Sequence, residues 1–152
     1  MTKKLLLFVL LFCLFILTAS AQVGKSKKLS TPPPPCGIKL LDGYVHVPLR
    51  GIDSWVGRIK KEGRLTITYD IGYLAGEYVN HCLWDNSCLW YKEQQFNGGL
   101  VKIALGSNEA IYATFPKTYA NFYAEVKTQE DIAEFLLIIM TYDETQECEN
   151  KI

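Results

Sequence analysis

His81, Cys82, Asp85 and Cys88 crowd four metal-ligating side chains into one short stretch, with donor atoms of the kinds that hold zinc or copper. Their spacing fits no common metal site. In an oxidising compartment two thiols this close in sequence bond to each other first, so the expectation is a Cys82–Cys88 disulfide, with no metal and no cofactor. The same oxidation argues against either sulfur as a catalytic thiolate.

Acid–base chemistry at neutral pH has two candidates, His46 and His81, the only histidines of the chain. Paired with Asp53 or Asp85, either would make a small secreted hydrolase. The chain has no nucleophile elbow, no His-Glu-x-x-His, no Cys-x-x-Cys and no glycine-rich phosphate loop to support that alternative.

The most suggestive cluster is aromatic. Tyr78, Trp84, Trp90 and Tyr91 surround the expected disulfide loop, and rings on a stapled loop present rigid contact area at small entropy cost. Core packing beside the disulfide is the competing use of the same rings. Arg58 and Arg64 lie in a run from Arg50 to Arg64 that carries five cations, and they complete a candidate binding surface.

The compartment follows from the first residues. Lys3 and Lys4 precede an apolar run from Leu5 to Leu17, too short to span a bilayer, and Ala19-Ser20-Ala21 offers a cleavage pattern. Residues 1–21 therefore read as a signal peptide and the protein as secreted or periplasmic, with no membrane span after cleavage. Residues 22–35, ending in four prolines, read as a stiff spacer, and 36–152 as one globular domain. The chain has 16 basic and 16 acidic side chains; loss of Lys3 and Lys4 leaves the mature protein slightly acidic, which argues against nucleic acid as a partner. Eight acids between Glu125 and Glu149 read as a solvated acidic face and tail.

After the leader, with its Cys13, four cysteines remain: Cys36, Cys82, Cys88 and Cys148. An even number implies two disulfides in one of three pairings. Cys82–Cys88 with Cys36–Cys148 is favoured, closing a local loop and tying the start of the domain to its end. The loop-entropy model gives roughly 2.4 and 4.8 kcal/mol for the two.

Alternating residues predict most of the sheet. Residues 38–49 read as a strand whose apolar face is Val45, Val47 and Leu49. Residues 55–60 and 64–71 read as a hairpin, with Leu65, Ile67, Tyr69 and Ile71 inward. Strands are expected at 89–96, 100–105, 110–115 and 119–126, the first two joined by Asn97-Gly98-Gly99, which tolerates positive φ. Residues 72–84 fit neither pattern cleanly. Thr128-Gln129-Glu130-Asp131 predicts a capped helix start, and Ile132, Phe135, Leu136, Ile139 and Met140 a buried helical face widened by Leu137 and Ile138. A buried strand over 135–142 is the alternative there.

The fold expected is α+β: an antiparallel sheet of about five to seven strands with one main C-terminal helix, disulfide-stabilised. The function expected is a non-catalytic binding module recognising a protein or envelope glycan. A purely structural envelope component is the other alternative.

Overall fold

The structure, a computed structural model, describes residues 33–145. The expected leader, most of the expected spacer and Cys148 lie outside the described residues, and with them the expected Cys36–Cys148 bond. Among the described residues no helix is long and apolar enough to cross a membrane.

Seven strands form one antiparallel sheet: β1 (Val45–Pro48), β2 (Trp55–Lys60), β3 (Thr66–Ile71), β4 (Cys88–Phe96), β5 (Gly99–Gly106), β6 (Ala110–Phe115) and β7 (Ala120–Glu125). Their spatial order is β1-β2-β3-β7-β6-β5-β4. Two local meanders are thus joined by a pairing of β3 with β7, in register from Thr68 against Tyr123 to Ile71 against Ala120.

Alternation places Ile67 and Tyr69, Ile111, Ala113 and Phe115, and Phe122 and Ala124 on one face. That face packs against the main helix, α2 (Gln129–Ile139), through Phe135, Ile138 and Ile139. Phe122, fully buried, lies at the centre of an aromatic cluster with Phe115, Tyr69 and Tyr142, at ring separations of 5.9, 6.5 and 5.6 Å. Leu137 is an exception to the expected stripe: it points to solvent at 60 % exposure.

β1 reverses the expected parity. His46 faces the core at 4 % exposure, whereas Val45 and Leu49 are exposed and Val47 is only half-buried. The cause is a polar bond that satisfies the imidazole inside: its Nε2 shares a 2.7 Å hydrogen bond with the Tyr69 hydroxyl. Tyr69 reaches it by crossing Gly57, where an added Cβ would fall 2.3 Å from the Tyr69 oxygen. Residues 38–43, expected in the same strand, instead run irregularly, with Ile38 buried against the core.

The ambiguous stretch after β3 is a strap across the sheet's other face. It contains a 3-10 turn (Tyr73–Ala75) and a short helix, α1 (Asn80–Trp84), and it carries the chain from β3 over β7, β6 and β5 to the far edge. Two fully buried polar residues, Asn121 and Thr114, hold it down. Asn121 accepts from the Tyr78 amide at 2.9 Å, donates to the Gly76 carbonyl at 2.8 Å, and accepts from the Thr114 hydroxyl at 2.8 Å. Lys102 on β5 adds a 2.8 Å ion pair to Glu77, and a Cys82–Cys88 disulfide locks α1 to the start of β4.

α2 begins with the expected cap. The Thr128 hydroxyl accepts from the Asp131 amide, and the Asp131 carboxylate accepts from the Thr128 and Lys127 amides. The acids of this helix form a solvated face only in part: Glu130 is exposed, whereas Asp131 and Glu134 are largely withdrawn from solvent. Arg64, at the end of the β2–β3 hairpin, bonds Glu130 at 3.0 Å and Glu134 at 3.3 Å, and Tyr44 donates to Glu134 at 2.7 Å.

The Tyr44 hydroxyl, with Arg64 and Lys61, holds the Glu134 carboxyl below its ordinary range; the Lys127 and Thr128 bonds do the same for Asp131. A depressed carboxyl contributes stability that is complete above its unfolded value, about pH 4, and is lost as pH falls through the folded one. Unfolding midpoints in urea should therefore fall steeply below about pH 4.5. Glu134→Gln should lower the midpoint at pH 7 and flatten that acid limb; an unchanged limb would refute the role given to this carboxylate.

Candidate functional site

The sheet face opposite α2 is only partly covered by the strap. On it, register aligns one side chain from each of four adjacent strands: Arg58 opposite Thr68, Thr68 opposite Tyr123, and Tyr123 opposite Tyr112. This row floors two adjoining hollows that share Tyr123.

The first hollow, of about 550 Å³, opens where β3 and β7 part. Pairing of these strands stops at Thr68 and Tyr123, while β3 stays on β2 as far as Thr66 and β7 stays on β6 as far as Glu125. Arg58, Thr66, Thr68, Glu125 and Lys127 line the gap. Arg58 and Lys127 make no ion pair among the described residues. Glu125 accepts a hydrogen bond from Tyr123 at 3.3 Å.

The second hollow, of about 560 Å³, lies between α1 and the sheet. Its rings form a chain of contacts: Tyr78 edge-on to His81 at 5.8 Å, His81 over Tyr112 at 6.2 Å, and Tyr112 beside Tyr123 at 5.5 Å. Asp85, Ser87, Ser107 and Asn108 supply donors and acceptors at the rim. Burial, reinforced by neighbouring Asp70 and Glu125, raises the Tyr78 and Tyr123 phenols. Both hydroxyls therefore stay protonated donors at neutral pH.

The predicted site residues separate. Tyr78 and Arg58 reach this face, one in each hollow. Trp84 is exposed at 78 % and lines neither. Trp90 pairs with Leu105 and Tyr91 with Ala104, so the two project from opposite faces of β4, and one surface cannot hold both. Tyr91 donates to Glu93 at the sheet edge, and its phenol is pushed up to about 12 by burial and that bond. Arg64 is engaged by the acids of α2, which makes it a fastening of the hairpin rather than an open cation. Cys82 and Cys88 are consumed by their disulfide. Among the described residues no group of three or more histidine, cysteine or acidic side chains is placed to hold a metal ion.

Of the hydrolase candidates, His46 is buried in the core and inaccessible to a substrate. His81 is open to the second hollow, with Asp85 on the same rim, but their side chains are not hydrogen-bonded to each other among the described residues. Tyr112, Tyr123 and Lys127 were not singled out by the sequence. Their signal was present for the tyrosines: Tyr112 and Thr114, and Asn121, Tyr123 and Glu125, alternate with wholly apolar partners on their strands.

No family model, curated protein or solved structure matches this chain.

Proposed function

We propose that this is an exported, non-catalytic binding module that recognises an envelope glycan along the two hollows of the sheet face opposite α2. The observation that carries the reading is Tyr123, the ring both hollows share, continued in the second by Tyr78, His81 and the largely buried Tyr112, with hydroxyl, amide and carboxylate groups around them. Sugar rings present apolar C–H faces that lie on aromatic rings, and hydroxyls that need both donors and acceptors; this surface offers both. The leader-like N-terminus and the cysteine count support export. A protein partner is the second reading, favoured by the exposed Trp84 and by Leu89, 71 % exposed, beside the disulfide.

The oxidised mature chain, Gln22 to Ile152, on a printed array of envelope oligosaccharides tests the proposal. Tyr123→Ala should reduce binding to each hit at least tenfold, because it removes the ring common to both hollows. Trp90→Ala, on the other face, should leave binding unchanged. Loss with Trp90→Ala alone would reject this face, and retention by Tyr123→Ala would reject the floor.

A further inference from the structure

The open end of the groove has a charge that the tyrosine floor does not explain. Arg58 stands on β2 one strand beyond Thr68, exposed, in the same cross-strand row as Tyr123, and Lys127 lines the same hollow from beyond the end of β7. The other charges in this hollow have partners. Arg64 is bonded to Glu130 and Glu134, Asp131 caps α2 through two backbone amides, and Glu125 accepts from Tyr123. Two cations without ion pairs among the described residues therefore remain beside threonine hydroxyls in a gap where β3 and β7 no longer pair.

We infer that this hollow takes the acidic group of a carboxylate-bearing sugar, a uronic acid within an oligosaccharide whose neighbouring residue lies on Tyr123. The inference rests on the glycan reading above and adds the ligand's charge. A guanidinium offers a planar fork of donors that matches a carboxylate, and such charge-assisted bonds are roughly twice as strong as neutral ones. Glu125, which lines the same hollow and accepts a hydrogen bond from Tyr123, is positioned to accept a sugar hydroxyl and disfavours a second acid at that point. The expected ligand is accordingly a short oligosaccharide with its acid at one place, consistent with a chain whose overall charge gives no bulk attraction for polyanions.

The test uses the full oxidised mature chain and two matched pairs of probes that carry one carboxylate each, a glucuronosyl-xylobiose and the hyaluronan trisaccharide with a single central glucuronate, each with its methyl ester. The ester keeps the shape and removes the charge. Binding of at least one acid should exceed that of its ester at least tenfold at 50 mM salt. The difference should shrink at 300 mM salt and vanish in Arg58→Gln, while Lys127→Gln reduces it. Arg58 is exposed on the sheet, so this variant should keep the wild-type circular dichroism. Equal binding of acids and esters, or an Arg58→Gln protein that still prefers the acid, overturns the inference and leaves the glycan reading intact. Array hits confined to neutral sugars overturn it in the same way. Absence of binding to every saccharide overturns both.

Discussion

Replacing Phe122 with alanine should cost the protein about 3–5 kcal/mol, most of the stability margin of a domain this size. The ring is fully buried between both layers and touches Phe115, Tyr69 and Tyr142. Close to it, Tyr69 reaches across Gly57 to satisfy the His46 imidazole. Removing the ring creates a cavity and takes away the packing that keeps Tyr69 in reach of its partner. Urea denaturation followed by near-ultraviolet circular dichroism gives the number. Phe122→Leu, which keeps most of the volume, should lose no more than about 1.5 kcal/mol. A loss under 1 kcal/mol for the alanine variant would mean that the core is not organised around this residue.

Asn121→Ala should produce the second largest effect, about 3 kcal/mol, and it should be local as well as global. The side chain satisfies the Tyr78 amide, the Gly76 carbonyl and the Thr114 hydroxyl, the last in a buried bond and the first two in part-buried ones. Its removal takes the partner from the Tyr78 amide and the Gly76 carbonyl and leaves the Thr114 hydroxyl with the Val79 amide alone; a polar group buried without a partner costs roughly 1–3 kcal/mol. The strap over the sheet should then open more readily. Hydrogen exchange at the Tyr78 and Val79 amides should accelerate well beyond the change in global stability, because strap opening becomes a separate event. Binding in the hollow between α1 and the sheet should weaken with it. Uniform acceleration across all strands, with no excess at 78 and 79, would show that Asn121 acts only on overall stability.

What could be read from the sequence was whatever local alternation or capping encodes. β6 from Ala110 to Phe115, the β2–β3 hairpin and the Thr128–Asp131 helix start all follow from neighbours within a few residues. The parity of β1 was not legible, because His46 turns inward to a hydroxyl 23 positions away. The strap was not legible either, since its fixing points, Asn121 and Thr114, lie 35 to 45 positions later in the chain. For the same reason the aromatic residues grouped by sequence around the disulfide divide between two faces. Trp90 and Tyr91 are adjacent along β4, and adjacency along a strand means opposition across it. The rings that do meet, Tyr112 and Tyr123, are neighbours only because β6 and β7 pair.

The order of strands also sets how the chain must find its fold. β1 to β3 can assemble from near neighbours, and so can β4 to β7, but the seam joining them brings Thr68 against Tyr123, 55 positions apart. Closing so long a loop has a large entropic cost before any contact rewards it, and folding slows as such distant pairings dominate. The seam is therefore expected to form after the two meanders it joins. Until it forms, the inner edges of β3 and β7 stand open to other chains, a hazard that the local Cys82–Cys88 disulfide does nothing to relieve.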